Sequence, residues 1–162
     1  MPVILTILVG KRLSENSSED HWSVRDYAAN LITHICTQYG STYGTLQPRI
    51  TKTLLRAFLD PTKPFATQYG AIRGLTSLGK EVVEVLLLPN IKSYGNSIEA
   101  ILGKNVEENS KVSDAKMCQE AILVNSGRRL NSISLDYVVF PSSNETILIF
   151  FFLFDLLDPF IR

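Results

Sequence analysis

The chain has 162 residues, 45% of them apolar and 20% charged, with 16 Lys plus Arg balanced by 16 Asp plus Glu. That length predicts one domain able to bury a sizeable core. Zero formal net charge argues against direct nucleic-acid binding, whose affinity rests on neutralising phosphates.

The opening MPVILTILVGKR is apolar, without a basic segment before it or a small-residue cleavage site after it. A core helix is expected there, not a signal peptide. Next, Val24, Ala28, Leu31 and Ile35 fall at i, i+4, i+7 and i+11, one face of a helix. Asp20 is placed to cap its start and Tyr39-Gly40 to end it. A further helix is predicted from Pro48 to Leu59, with Ile50, Leu54 and Phe58 as its buried row. Asp60-Pro61 and Pro64 then force a turn. The helix that starts near Phe65 carries Ala71, Leu75, Leu78 and Val82, with Gly79 breaking or bending it before the apolar Val82 to Leu88. Pro89 to Leu102 and Lys111 to Asn125 read as a weaker helix pair, the second with Ala115, Cys118 and Ile122 at helical spacing. After Gly127, SISLDYVVF is strand-like and Pro141 to Asn144 a turn. The run Ile147 to Phe154 (ILIFFFLF) is too short for the roughly 20 residues of a bilayer span, so no membrane association is expected.

Repetition organises these elements. A shift of 43 residues lays Trp22 on Phe65, Ala28 on Ala71, Ile32 on Leu75, Ile35 on Leu78 and Tyr39 on Val82. The preceding helices correspond at a shift of 46: Pro2 on Pro48, Ile4 on Ile50, Leu8 on Leu54 and Leu13 on Leu59. A helix pair recurring at about 40–47 residues is the period of HEAT and armadillo repeats. The expected architecture is therefore an all-α solenoid of HEAT-type antiparallel helical hairpins forming one domain. Repeat one spans 1–40, repeat two 46–88 and a degenerate repeat 89–130, leaving 131–162 as a C-terminal cap whose structure the pattern does not fix. Trp22, Ala28, Phe65 and Ala71 are its structural repeat residues.

The stretch HWSVRDYAANLITHIC gathers His21, Trp22, Ser23, Arg25, Asp26, His34 and Cys36, the ingredients of a catalytic or metal site. His21 and His34 lie 13 residues apart, whereas helical metal ligands sit at i, i+4, so no metal is expected. Neighbours on one helix cannot assemble a nucleophile, base and orienter, which leaves a hydrolase using Ser23 or Cys36 as the weaker alternative. Phosphate-loop and dinucleotide patterns are absent, so neither a cofactor nor a small-molecule substrate is expected. Cys36 and Cys118, in no CxxC pattern, suit neither a disulfide framework nor zinc and point to a reducing compartment. Arg49, Lys52 and Arg56, at i, i+3 and i+7, form a basic stripe opposite Ile50, Leu54 and Phe58, which Arg73 and Lys80 could extend. Such a stripe is either a solvated face or a docking surface for an acidic partner.

Four blocks in order, HWSVRDYAANLITHIC, QPRITKTLLRAF, TQYGAIRGLTSLG and VLLLPNI, resemble the C-terminal HEAT-repeat domain of TBP-associated factor six. That family supplies a subunit of the general transcription factor TFIID and, in some lineages, of the SAGA coactivator. The resemblance covers residues 1–102 and, more loosely, 111–130; residues 131–162 do not align with it. The family's N-terminal histone-fold region has no counterpart, so the chain looks like a domain excised from a longer protein, without the histone-fold partner. What the resemblance implies is a non-enzymatic scaffold in the nucleus, supporting transcription initiation by RNA polymerase II. Its implied partners are other TFIID subunits and a second copy of itself, and Arg25-Asp26 would order the stack. A HEAT adaptor of an unrelated complex is the alternative within binding proteins.

Overall fold

A computed structural model of the chain describes residues 2–13, 19–102 and 110–130, with the backbone alone at Pro2, 99–102 and 125–130. Every regular element among them is a helix, as the periodicity predicts. Helix α1 (Pro2–Val9) pairs with α2 (Trp22–Tyr39), and α3 (Leu46–Leu59) with α4 (Phe65–Ser77). Then α5 (Lys80–Val82), a π-helical stretch Val83–Leu87 and α6 (Leu88–Leu102) run on without a break, and α7 (Ser110–Leu130) follows. The strand-like SISLDYVVF and the apolar run ILIFFFLF lie outside the described residues.

Helix α4 is the centre of the fold. It touches α1, α2 and α3, and ten of its 13 residues are buried. The 43-residue repeat is visible in the core: Ala28 and Ala71 are both buried, and Ile32 and Leu75 are both wholly enclosed. Helix α3 buries Ile50, Leu54 and Phe58 as expected, together with Ala57. It begins at Leu46, two residues before Pro48. Pro48 therefore sits inside the first turn, where a missing N–H loses no intrahelical bond.

Three expectations need correcting. The buried face of α2 is Arg25, Ala28, Ala29, Ile32 and Cys36, while Val24 stays 48% exposed. The face is rotated one residue from the expected row, because Arg25 points inward and successive residues turn by about 100°. Among its described side chains, helix α1 encloses only Leu8, and Val3 remains 70% exposed, so it is a partly covered flank, not a core helix. The boundary placed between residues 88 and 89 falls inside a continuous helix that starts at Lys80. Gly79, at φ +135°, makes the break between α4 and that helix. Pro89 does not start a helix there: its ring would crowd the carbonyl four residues back, and the wider π turn precedes it. Asn90 Nδ2 donates to the Leu86 carbonyl (2.8 Å) at the same place.

Helix α7 buries Ala115, Cys118 and Ile122, the row read from the sequence, plus Ala121. The Cys118 thiol contacts the Phe65 carbonyl at 3.2 Å, tying α7 to the start of α4.

Close approach of α1 to α4 depends on Gly70. A Cβ there would fall 1.7 Å from the Leu8 carbonyl oxygen, a backbone atom with no room to retreat. Gly70→Ala is expected to lower stability by about 1–3 kcal/mol or more in urea unfolding, whereas Gly44→Ala, with nothing within 4 Å, should stay within about 0.5 kcal/mol of the parent.

Candidate functional site: an internal polar lattice and an external basic ridge

The conspicuous polar residues at the start of α2 point in two directions. Arg25 is fully enclosed and turns back onto the end of α1, where the last carbonyls of a helix lack intrahelical donors. Its guanidinium donates to Leu8 O (2.7 Å), Gly10 O (2.9 Å) and, more distantly, Ile7 O (3.4 Å). Burial pulls the guanidinium down to about 10, which leaves it charged at neutral pH. Its Nε also faces His21 Nδ1 at 3.4 Å, and burial followed by this cation lowers the His21 imidazole. From α7, the half-buried Asp114 acts on both through its charge, and burial raises its own carboxyl.

Asp26, the next residue, reaches the second repeat instead. Its carboxylate accepts from Arg73 Nε (2.6 Å) and Nη2 (3.0 Å), a two-point ion pair, and from Tyr69 Oη (3.0 Å). Burial, then the Asp26 charge, raises the Tyr69 phenol. Trp22 meets the same tyrosine edge-on, ring centroids 4.8 Å apart. At the equivalent of Arg25, Gln68 is also buried, and its Nε2 donates to the Asp60 and Lys63 carbonyls, both 3.2 Å away, where α3 ends and the turn begins. Its Oε1 accepts from Tyr94 Oη (2.8 Å), which joins α6 to the lattice. Both repeats therefore place a buried polar side chain, one turn into the second helix, on the carbonyls that close the first.

The residues considered for hydrolysis have other occupations. Ser23 Oγ donates to Asp20, whose carboxylate also accepts from the Trp22 and Ser23 backbone N–H groups and caps α2. Cys36 is buried, and burial raises its thiol, the reverse of what a nucleophilic thiolate needs. His34 is exposed on the same helix. Among the described residues, no three His, Cys, Asp or Glu side chains gather as metal ligands do, and no helix is long and apolar enough to cross a membrane.

Arg49, Lys52 and Arg56 are all exposed along α3. Among the described residues they make no ion pair. Arg73 does not extend this ridge: its guanidinium is held by Asp26 and its side chain is 25% exposed. Lys80 is likewise engaged, with Glu84 at 3.4 Å. Beside the ridge lies a groove of about 770 Å³ between the end of α2, α3 and Leu86. Neither the groove nor the role of Gln68 is evident from periodicity. The 43-residue shift does carry a signal for the second, because it lays Arg25 on Gln68 and Asp26 on Tyr69.

Paired helices stacked through a lattice of inward polar bonds, with a basic ridge outside that has no ion pair among the described residues, define a helical-repeat protein. The sequence profile of the TAF6 C-terminal HEAT repeat domain matches residues 1–92, and the chain belongs to that family. It is 47% identical over 123 residues to the SAGA complex/transcription factor TFIID complex subunit Taf6 of Schizosaccharomyces pombe, covering 75% of this chain and 27% of that protein. It is 41% identical over 128 residues to Transcription initiation factor TFIID subunit 6 of Arabidopsis thaliana, covering 78% and 23%. The solved TAF6 C-terminal domain from Antonospora locustae superposes with a TM-score of 0.55 at 26% identity, over 75% of this chain and 53% of that one. The chain thus spans about a quarter of the length of the curated relatives it matches.

Two stability measurements separate the roles of the polar pair. Arg25→Met, which keeps bulk but orphans the α1 carbonyls, is expected to cost about 2–4 kcal/mol in chemical unfolding. A double-mutant cycle of Asp26→Ala and Arg73→Ala should return a coupling of about 1 kcal/mol, the modest value expected for a pair that is a quarter to a third exposed.

Proposed function

We propose that this chain is a non-enzymatic protein-interaction scaffold within a nuclear transcription-factor assembly of the TFIID or SAGA kind, supporting initiation by RNA polymerase II. The observation that carries this reading is membership of the TAF6 C-terminal HEAT repeat family over residues 1–92, since the family's named members are subunits of such assemblies. Physical support comes from the separation of polar groups. Arg25, Asp26, Gln68 and Arg73 all bond inside the fold, which favours a rigid stack over a reaction centre. Stacked repeats leave an extended outer surface for partner chains. The other subunits of the assembly, and a second copy of this chain, are the partners the reading names. On that surface, Arg49, Lys52 and Arg56 are cations with no counter-ion among the described residues, suited to a partner's acidic face.

Affinity purification of the full-length protein tests this. It should recover other TFIID or SAGA subunits; recovery of vesicle-coat or phosphatase subunits in their place would sink the reading. Reversing Arg49, Lys52 and Arg56 to Glu together should preserve helical content by circular dichroism and reduce recovery of at least one subunit. Unchanged recovery of every subunit would make the ridge a solvated face.

A further inference from the structure

We infer that the groove beside α3 binds an acidic amphipathic segment of a partner protein, with apolar side chains on Cys36, Pro48, Leu55 and Leu86 and carboxylates facing Lys52, Arg49 and Arg56. This deepens the scaffold reading and rests on it.

The groove is made where α2 ends. After Tyr39 the chain turns through Gly40 to Thr45, so the last turn of α2 and one face of α3 diverge, and Leu86 of the π-helical stretch closes the far side. Its floor is apolar: Cys36 is buried, and Leu55 and Leu86 are half-exposed. An apolar floor of this kind gives an inserted side chain something to displace water from. Lys52 belongs to both features, lining the groove and standing in the basic ridge.

Charge selects the occupant. The whole chain is neutral, yet no Asp or Glu occurs between Asp26 and Asp60. That acid-free span supplies the end of α2, the turn and all of α3, with Arg49, Lys52 and Arg56 as its Lys and Arg residues. Helix α3 also has no acidic residue in its first turn and no side-chain cap, so beside Gln47 and Pro48 the positive end of its dipole is met only by backbone, the Leu46 N–H donating to the Tyr43 carbonyl. The opposing negative end of α2 is muted, because the Cys36 and Tyr39 carbonyls accept from the Gly40 and Tyr43 N–H groups. Glu84, near the Leu86 wall, is neutralised by Lys80. A positive rim over an apolar floor fits an acidic helix with one greasy face. It fits nucleic acid less well, since phosphates would use the rim and leave the floor unfilled.

The test is an amide NMR titration of the full chain with a synthetic peptide of about four helical turns, Leu or Phe along one face and Glu or Asp elsewhere. Its Lys-for-Glu counterpart and a short DNA duplex serve as comparison probes. Shifts are expected to concentrate at Thr51, Lys52, Leu55 and Leu86, and Lys52→Glu should weaken the acidic peptide about tenfold. Leu55→Ala should weaken it as well, and the Arg49→Glu, Lys52→Glu, Arg56→Glu variant should take up the Lys peptide instead. Shifts elsewhere, equal binding of both peptides, or stronger perturbation of the same amides by DNA would overturn the inference. A groove silent to the acidic peptide, in a protein that still recovers TFIID subunits, overturns this inference and leaves the scaffold reading standing. A groove that binds the peptide, in a protein that recovers no such subunit, supports the groove and overturns the scaffold reading.

Discussion

Burying the end of α1 is the constraint on which the other contacts depend. A helix of eight residues has few internal hydrogen bonds, and its last carbonyls have no donors of their own. Placing that end against α4 removes water as a donor, so the fold must supply one, and Arg25 does so from inside α2. The same contact needs α4 to have no side chain at Gly70, because the Leu8 carbonyl occupies the space where a Cβ would be. One cation and one glycine together let three helices meet at a single backbone oxygen. Thr67 Oγ1 also donates to Gly10 O (3.3 Å), so α4 contributes to the closure it makes necessary.

The second repeat meets the same requirement with weaker chemistry. Gln68 is neutral and reaches carbonyls beyond the end of α3, with Tyr94 orienting its amide oxygen. A neutral donor carries a smaller desolvation penalty than a buried guanidinium, and its bonds are correspondingly weaker. Asp26 then couples the repeats sideways, to Tyr69 at its own repeat equivalent and to Arg73 one turn further on. Closure within a repeat and alignment between repeats thus fall to adjacent residues of α2.

Legibility in the sequence follows from how each feature encodes itself. Helix identity and the repeat were readable because apolar residues at 3.6-residue spacing recur at a shift of 46 in the first helices and 43 in the second, and Ala28, Ala71, Ile32 and Leu75 are indeed enclosed. The rotation of α2 was not readable, since an arginine counts as outward in any apolar pattern and here it is as fully enclosed as Ile32. Arg25-Asp26 could be picked out as a pair, but its two separate targets could not, because carbonyls at a helix end leave no mark in side-chain chemistry. The run from Lys80 through Pro89 misleads for a related reason: proline reads as a helix start, and a π turn absorbs it inside the helix. Only the stretch between Asp26 and Asp60, empty of acid, announces itself by composition, and no periodic pattern draws attention to an absence.

Neutral net charge and a polarised surface are compatible because the two are set at different scales. Asp26 and Glu84 are bound to cations within the fold, and Asp20 and Asp60 take hydroxyl and backbone donors beside them. These carboxylates are therefore drawn into local bonds, while α3 holds three cations that nothing in the described residues offsets. A field of that kind acts over about one Debye length, roughly 8–10 Å at ordinary salt, a range that covers a groove but not a domain. The sequence total of zero thus says little about any one face of a repeat stack. Among the described residues, Asp20, Arg25, Asp26, Asp60, Arg73, Lys80 and Glu84 are spread along the helices and their ends and bond to backbone, to hydroxyls or to each other. The Arg49, Lys52 and Arg56 side chains are left unbalanced among those residues, and a surface of one sign beside an apolar groove is the arrangement on which the proposed docking of an acidic segment rests.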